Sequence, residues 1–334
     1  MIAPVLKGWI ELSGRRLGLP EIAGIVGRRP DEISSFGGEF FLSWGECRAR
    51  DHFGVVPGDC PKGTVVCRGI GRCTIEPEVP DLPLDEAIAA AVGLRSDEGV
   101  TALSGGVDST LVAFLAKREC VAVGIAGSHD LRRARQVSAA LGLDCTEVII
   151  SPEAIGDALP QVLSAIPKHD PVNTGIALTQ YFIAEWAGDH GFRRILTGQG
   201  ADELFGGYSR YLGTDTLEAD LARDFAGLEL QAERDQAVAG LFGCYLSMPY
   251  LDLRVVRAAR AIPCSARVCG GRRKVPLREV AERYITAEFA WYEKKAMQYG
   301  SGVAKELRRL ARHNGYKTSV QGYLDQISRE HHGQ

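Results

Sequence analysis

The sequence predicts an α/β protein: a parallel sheet with helices on both faces, a helical C-terminal part and a small N-terminal β subdomain. Three observations predict it. Between residues 99 and 198, short apolar runs alternate with helical segments, an order that parallel strands with helical crossovers produce. From about residue 215 onward the apolar periodicity is helical, broken at Met248-Pro249 and around Pro263–Gly271. Before residue 76 the chain is rich in glycine and in short β-type runs.

Taken in order, GEFFLSW and GTVVCRG within residues 1–75 suggest a small antiparallel sheet. EPEVPDLP (76–83) carries three prolines and three acidic residues and reads as an extended linker. The chain therefore divides into 1–82, the β part with its linker, and 83–334. In the second part DEAIAAAVGL is helical, and GVTAL (99–103) is a short buried strand running into a glycine-rich turn. VAVGIAG (121–127) is a second strand, LRRARQVSAALGL (131–143) an amphipathic helix and CTEVII (145–150) a third strand. Residues 174–190 are helical, and RRILTG (193–198) ends a fourth strand. No internal repeat is visible.

Composition excludes several classes. The 334 residues are 45% hydrophobic and 24% charged with a formal net charge of -3, an ordinary globular balance. With 39 Lys and Arg against 42 Asp and Glu, the chain as a whole has no pull toward nucleic acid or an anionic membrane. No apolar stretch approaches the ~18–20 residues of a membrane-spanning helix, and MIAPVLKGWIELSGRR lacks a signal-peptide plan. A cytoplasmic enzyme fits these limits. The nine cysteines are odd in number and contain no tight C-x2-4-C pair. They are expected as reduced, packed thiols, with neither a disulfide framework nor a zinc site.

The chemistry concentrates after GVTAL, in Ser104-Gly105-Gly106-Val107-Asp108-Ser109-Thr110, followed by the helical LVAFLAKRE. Two glycines let backbone N–H groups approach a phosphate, and the loop opens onto a helix N-terminus whose dipole favours anions. Ser104, Ser109 and Thr110 add hydroxyls. Asp108 suits this company when a divalent cation bridges it to phosphate oxygens. The loop lacks the G-x4-G-K-[ST] spacing of a Walker-type cradle.

SGGVDST resembles the pyrophosphate-binding loop of the ATP pyrophosphatase superfamily, whose fold is of the adenine nucleotide alpha hydrolase type. Thr197-Gly198-Gln199-Gly200-Ala201-Asp202-Glu203-Leu204-Phe205-Gly206-Gly207-Tyr208 resembles the GEGADE-x-FGGY signature of class B asparagine synthetases. VGIAGSHDLRRARQVSAALG, MPYLDLRVVRAARAIP, KVPLREVAERY and AWYEKKAMQYGSGV match in order, so the resemblance covers about residues 95–305. It implies ATP-dependent adenylation of a carboxylate, then attack by ammonia or another amine to give an amide, AMP and pyrophosphate, as in asparagine biosynthesis. Asp108 and Asp202 match the family's magnesium-binding aspartates. Leu103, Val123, Thr197 and Gly198 match positions lining its adenine and ribose pocket, and Lys294 matches the lysine that stabilises departing pyrophosphate. Asp170, Asn173, Gln199 and Glu203 fall in its substrate region.

Three departures shape the expectation. Gln199 replaces the glutamate thought to take a proton from the attacking ammonium, and an amide is no general base; Glu203 and Glu293 are candidates to replace it. Gly175 replaces an arginine that would clamp a substrate carboxylate, which puts aspartate in doubt as the acceptor. Ile2 replaces the cysteine nucleophile of the family's glutaminase domain, although GEFFLSW…RARDHFGVVPG (38–58) and PKGTVVCRG resemble that domain's closing strands. The expected enzyme therefore takes a small-molecule carboxylate and free ammonia, or ammonia from a separate glutaminase subunit, with ATP and Mg2+ as cofactors. A homo-oligomer is left open. Two rivals are adenylation of another metabolite or an RNA, and a weakly active ATP-binding regulatory subunit. Near-neutral charge counts against RNA, and the cluster Arg267, Arg272, Arg273 and Lys274 reads as a solvated or phosphate-facing patch.

Overall fold

In the computed structural model, which describes residues 3–293 and 297–332, the N-terminal strands form one antiparallel sheet. They are β1 (Val5–Leu12), β2 (Arg15–Arg16), β3 (Gly37–Trp44), β4 (Cys47–Arg50), β5 (Thr64–Cys67) and β6 (Ile70–Thr74), ordered β2-β1-β3-β4-β5-β6. Strand alternation separates its faces. Ile10, Phe40, Leu42, Ala49 and Val65 close a core with Ile22 and Ile25 of helix α1 (Leu19–Arg28). Trp9, Glu11 and Glu39 turn the other way and are buried against the rest of the molecule.

Cys47 and Cys67 face each other in register on β4 and β5 and form a disulfide. This corrects the expectation that every cysteine is a reduced thiol. An odd count and wide spacing do not reveal two cysteines that strand pairing sets opposite one another. The remaining seven are free.

After the linker come α2 (Leu84–Gly93), β7 (Val100–Ala102), α3 (Val107–Ala116), β8 (Cys120–Ile125), α4 (His129–Leu141) and β9 (Cys145–Ile150). They are followed by α5 (Pro152–Ala165), α6 (Pro171–Asp189), β10 (Arg194–Leu196), α7 (Ala201–Phe205), α8 (Leu217–Ala226) and α9 (Leu228–Gly240). β11 (Tyr245–Ser247), α10 (Leu253–Ala261), α11 (Cys264–Arg267), α12 (Val275–Ala281) and α13 (Ala287–Ala290) lead to α14 (Met297–Gly300), α15 (Val303–His313) and α16 (Val320–His332). The five strands of this second sheet are all parallel, in the order β11-β10-β7-β8-β9. β11 lies in a stretch read as helical, because three residues are too few to show alternation.

Both faces of this sheet are covered. Val121 and Val123 of β8 join residues of α5, α6, α9 and α15 in one core, whereas Cys120 and Ala122 join residues of α2, α3 and α10 in the other. The strand order positions the site. From β7 the chain steps outward to β8 and β9, then crosses back through α5 and α6 to β10 on the other side of β7. The loops leaving β7 and β10 therefore diverge, and in an open parallel sheet such a reversal leaves a crevice at the strand C-termini. Among the described residues no helix is long and apolar enough to cross a membrane.

Candidate active site

The two motif loops meet at this reversal. SGGVDST leaves β7 and opens onto α3 with Gly106 at the N-cap, and TGQGADE leaves β10 and opens onto α7. Ser109 Oγ accepts from Ser104 N at 3.2 Å and lies 3.0 Å from Ser104 Oγ, closing the first loop on itself. A Cβ on Gly198 would stand 2.8 Å from Asp108 Cβ and 2.9 Å from Ser109 N. Only glycine lets the second loop lie this close to the first.

Charge converges here. Asp108 is 2% exposed, and Lys274 Nζ lies 2.7 Å from each of its carboxylate oxygens and 2.6 Å from Asp202 Oδ1. Lys274 is itself buried, at the N-cap of α12, and a Cβ on Gly207 would overlap both its Cε and Asp202 Oδ1. Tyr250 donates to the Asp108 carbonyl at 3.1 Å. Two carboxylates turned toward one cation form a hard-oxygen donor pair of the kind magnesium uses together with phosphate oxygens. Among the described residues no group of three or more His, Cys, Asp or Glu could hold a metal by protein ligands alone. The pair therefore fits a cation that a nucleotide helps to bind.

The neighbouring cleft has a volume of about 430 Å³. Ala102, Leu103, Val121, Val123, Ile176 and Ile183 supply apolar lining. Asn173, Gln199, Tyr208, Arg210, Gln231 and Arg234 supply polar lining. Gln199 Nε2 donates to Asp235, which is fully buried and held by Arg234 Nε and Nη2 at 2.7 and 2.9 Å. Arg234 Nη1 donates to Asn173 Oδ1 at 2.7 Å, and Asn173 Nδ2 donates to Asp170 Oδ2 at 2.7 Å. Asp170 caps α6, accepting from the Val172 and Asn173 backbone. Burial pushes the Asp170 carboxyl up, but the Asn173 amides and the Lys168 ammonium outweigh it and leave its pKa below the ordinary value. Burial, with Asp202 nearby, pushes Glu203 up, although it accepts from Tyr208 Oη and, at 3.0 Å, from Gln231 Nε2.

Leu103, Ser104, Ser109, Val123, Asn173, Thr197, Gly198, Gln199 and Asp202 line one cleft, as one site requires. Gly105, Gly106 and Asp108 lie in the adjoining loop, whereas Asp170 and Glu203 act behind the lining residues. Lys294 lies outside the described residues. Gly175 is buried on α6 and does not line the cleft; a guanidinium reaches it instead from α9, as Arg234. The solvated reading of the basic cluster needs correction for two of its members, although Arg272 is exposed. Lys274 is sequestered, and Arg267 is buried, donating to the Leu204 and Ile262 carbonyls. Sequence reasoning missed Arg234, Asp235 and Tyr250 as well. The KVPLREV match and the phosphate-facing alternative for its cluster hinted at Lys274, but folding alone brings it to the two aspartates.

Comparison with known proteins agrees with this geometry. A family model described as Asparagine synthase matches residues 83–240 and 228–329. The chain is 32% identical over 272 residues to a putative glutamine-hydrolyzing asparagine synthetase 1 of Methanocaldococcus jannaschii, covering 68% of this chain and 50% of that one. It is 26% identical over 227 residues to asparagine synthetase B of Escherichia coli, covering 60% and 41% of the two chains. It is 31% identical over 251 residues to the carboxyethyl-arginine beta-lactam-synthase of Streptomyces clavuligerus, covering 70% and 48%. The chain thus spans about half the length of these curated relatives. The family match runs through both motif loops and the sheet that carries them, and the chain belongs to the asparagine synthase family.

Proposed function

We propose that this chain adenylates a small-molecule carboxylate with ATP and then converts the acyl group to an amide, without hydrolysing glutamine itself. The observation that carries the reading is the convergence of Asp108 and Asp202, from separate motifs, on the Lys274 ammonium at the strand reversal. In the first half-reaction a carboxylate oxygen attacks the α-phosphorus. The bond to the bridging oxygen breaks, and pyrophosphate leaves with its electron pair. In the second, an amine attacks the acyl carbon, AMP departs and the amine gives up a proton.

The residues divide this work. Backbone N–H groups of Gly105 and Gly106 and the N-terminus of α3 receive the phosphates, with the Ser104 and Ser109 hydroxyls beside them. Leu103, Val123, Thr197 and Gly198 form the base and ribose end. Asp108 and Asp202 would hold Mg2+, which supplies positive charge against the phosphate oxygens. Lys274 brings a second positive charge to the same point, and a fixed cation stabilises the charge that grows on the leaving group. Lys294 is expected to add to it. Gln199 orients rather than ionises: its amide is tied to Asp235 and cannot take the proton. Free ammonia, or ammonia handed over by a partner subunit, supplies the nitrogen.

The test is to incubate the protein with ATP, magnesium, ammonia and a panel of carboxylates, and to measure AMP and pyrophosphate. Carboxylate-dependent release of both is expected, and Asp108→Ala should abolish it. ATP binding without AMP release under any condition would instead favour a regulatory, binding-only role.

A further inference from the structure

We propose that Gln180 reads the edge of the nucleotide base and selects a purine with a 6-amino group. The inference rests on the ATP-binding reading of the cleft and deepens it. Gln180 lies on α6, on the helical face that also carries Asn173, Ile176 and Ile183 into the cleft. Val121, Val123, Ala102 and Leu103 line the same cleft.

Gln180 is 1% exposed, and its Oε1 accepts no hydrogen bond from the described residues. A buried carbonyl without a donor destabilises the empty protein, so such an atom calls for a partner. Two other polar side chains of this helix are otherwise engaged. Thr179 Oγ1 donates to the Gly175 carbonyl at 3.0 Å and lies 3.2 Å from Ser301 Oγ. Asn173 is held by Asp170 and Arg234. Gln180 therefore brings a buried amide oxygen without a donor to the wall of a partly apolar cleft.

The chemistry of that amide narrows the ligand. A primary amide presents one acceptor and one donor side by side, complementary to a planar ring that offers a donor next to an acceptor. The 6-amino group of adenine, with its neighbouring ring nitrogen, has this pattern, and glutamine pairs with adenine in this bidentate way elsewhere. The valine, leucine and isoleucine side chains can cover the faces of such a ring. In this arrangement Ser104, Ser109 and Asp202 take the phosphate end and Gln180 the base end of one ligand.

The experiment compares ATP with purine riboside 5′-triphosphate, which lacks only the 6-amino group, in wild type and Gln180→Met. Binding is read by calorimetry without acceptor, so it does not depend on the later chemistry. Wild type should bind ATP about tenfold more tightly than the analogue, and Gln180→Met should bind the two within about threefold, chiefly by weakening ATP. Ligand-free Gln180→Met should melt no lower than wild type, because the substitution removes an unpaired buried amide while keeping its volume. An ATP preference that survives the substitution would sink the proposal, as it would if the amide merely held a water. A lowered melting temperature with both nucleotides weakened equally also overturns it, by making Gln180 a packing residue. Discrimination that follows Gln180 in a protein that adenylates no carboxylate would leave this proposal standing and remove the enzymatic one.

Discussion

Gln199 is wired downward into the protein rather than toward solvent, and this changes what restoring the family's glutamate would do. Its amide donates to Asp235, a fully buried carboxylate held by Arg234. Gln199→Glu removes the donor and sets two carboxylates together. It should cost about 1–3 kcal/mol in a denaturant titration rather than improve the enzyme. The double variant Gln199→Glu with Asp235→Asn reverses the polarity of the bond and should recover most of the loss. Equal stability of the single variant and wild type would mean that the Gln199–Asp235 bond carries little. Glu203 gives a second residue-level test. Burial raises its pKa in the folded state. Such a carboxyl stabilises the fold below its unfolded pKa and loses that contribution as the pH rises through the folded value. Glu203→Gln does not titrate, so its melting temperature relative to wild type should improve as the pH rises from about 4 toward neutrality. A difference constant across that range would show that the Glu203 carboxyl is not raised.

Elements place these residues, and the junction between two of them is its own point of failure. The β10 loop lies against the start of α3 only because Gly198 has no side chain. Gly198→Ala pushes Asp202 away from Asp108 and Lys274, and overpacking of this kind costs about 1–3 kcal/mol. The expected result is a modest fall in melting temperature with at least a tenfold rise in the KM for ATP. A melting shift with ATP use unchanged would mean that the loop contact is structural only. This junction was legible in the sequence because each half is local: an apolar run, glycines and the start of a helix fall within a dozen residues. Arg234 and Asp235, and the meeting of Lys274 with the two aspartates, were not legible for the opposite reason. These residues come from distant helices whose charged residues have the pattern of a solvated face, and only packing turns them inward. β11 and the Cys47–Cys67 bond escaped on similar grounds, the first by its brevity and the second because strand register creates it.

At the scale of the whole molecule, the antiparallel sheet is tied to the segment beside the cleft through two buried carboxylates, Glu39 foremost and Glu11 with it. Glu39 of β3 is 1% exposed and accepts from Trp9 Nε1, from Arg95 Nε at 2.8 Å, from Ser247 Oγ and from Met248 N at 2.8 Å. The segment it grips also supports the site. The Ser247 carbonyl accepts from Thr197 N at 3.0 Å, and Tyr250 donates to the Asp108 carbonyl. Arg95 continues to Asp252 at 2.9 Å, and Arg254 joins Asp252 to Glu11 of β1 at 2.7 Å, all of them buried. The antiparallel sheet thus fixes the turn from which both motif loops are held. Glu39→Ala leaves Arg95 short of a partner inside the protein and should cost about 3–5 kcal/mol, a loss that added salt does little to relieve because the group is buried. Glu39→Gln keeps the shape and some acceptors, so it should fold, and it isolates the coupling. If the sheet orients Thr197 and Asp108, this variant should weaken ATP binding by about 0.5–2 kcal/mol at temperatures well below its melting point. Deleting the exposed Arg29–Glu32 pair of the same subdomain should change neither ATP binding nor stability appreciably. Wild-type ATP affinity in a folded Glu39→Gln protein would show that the sheet contributes stability alone. A selective loss would make it a working part of the site, because nothing on that sheet lines the cleft and its influence has to pass through Ser247 and Tyr250.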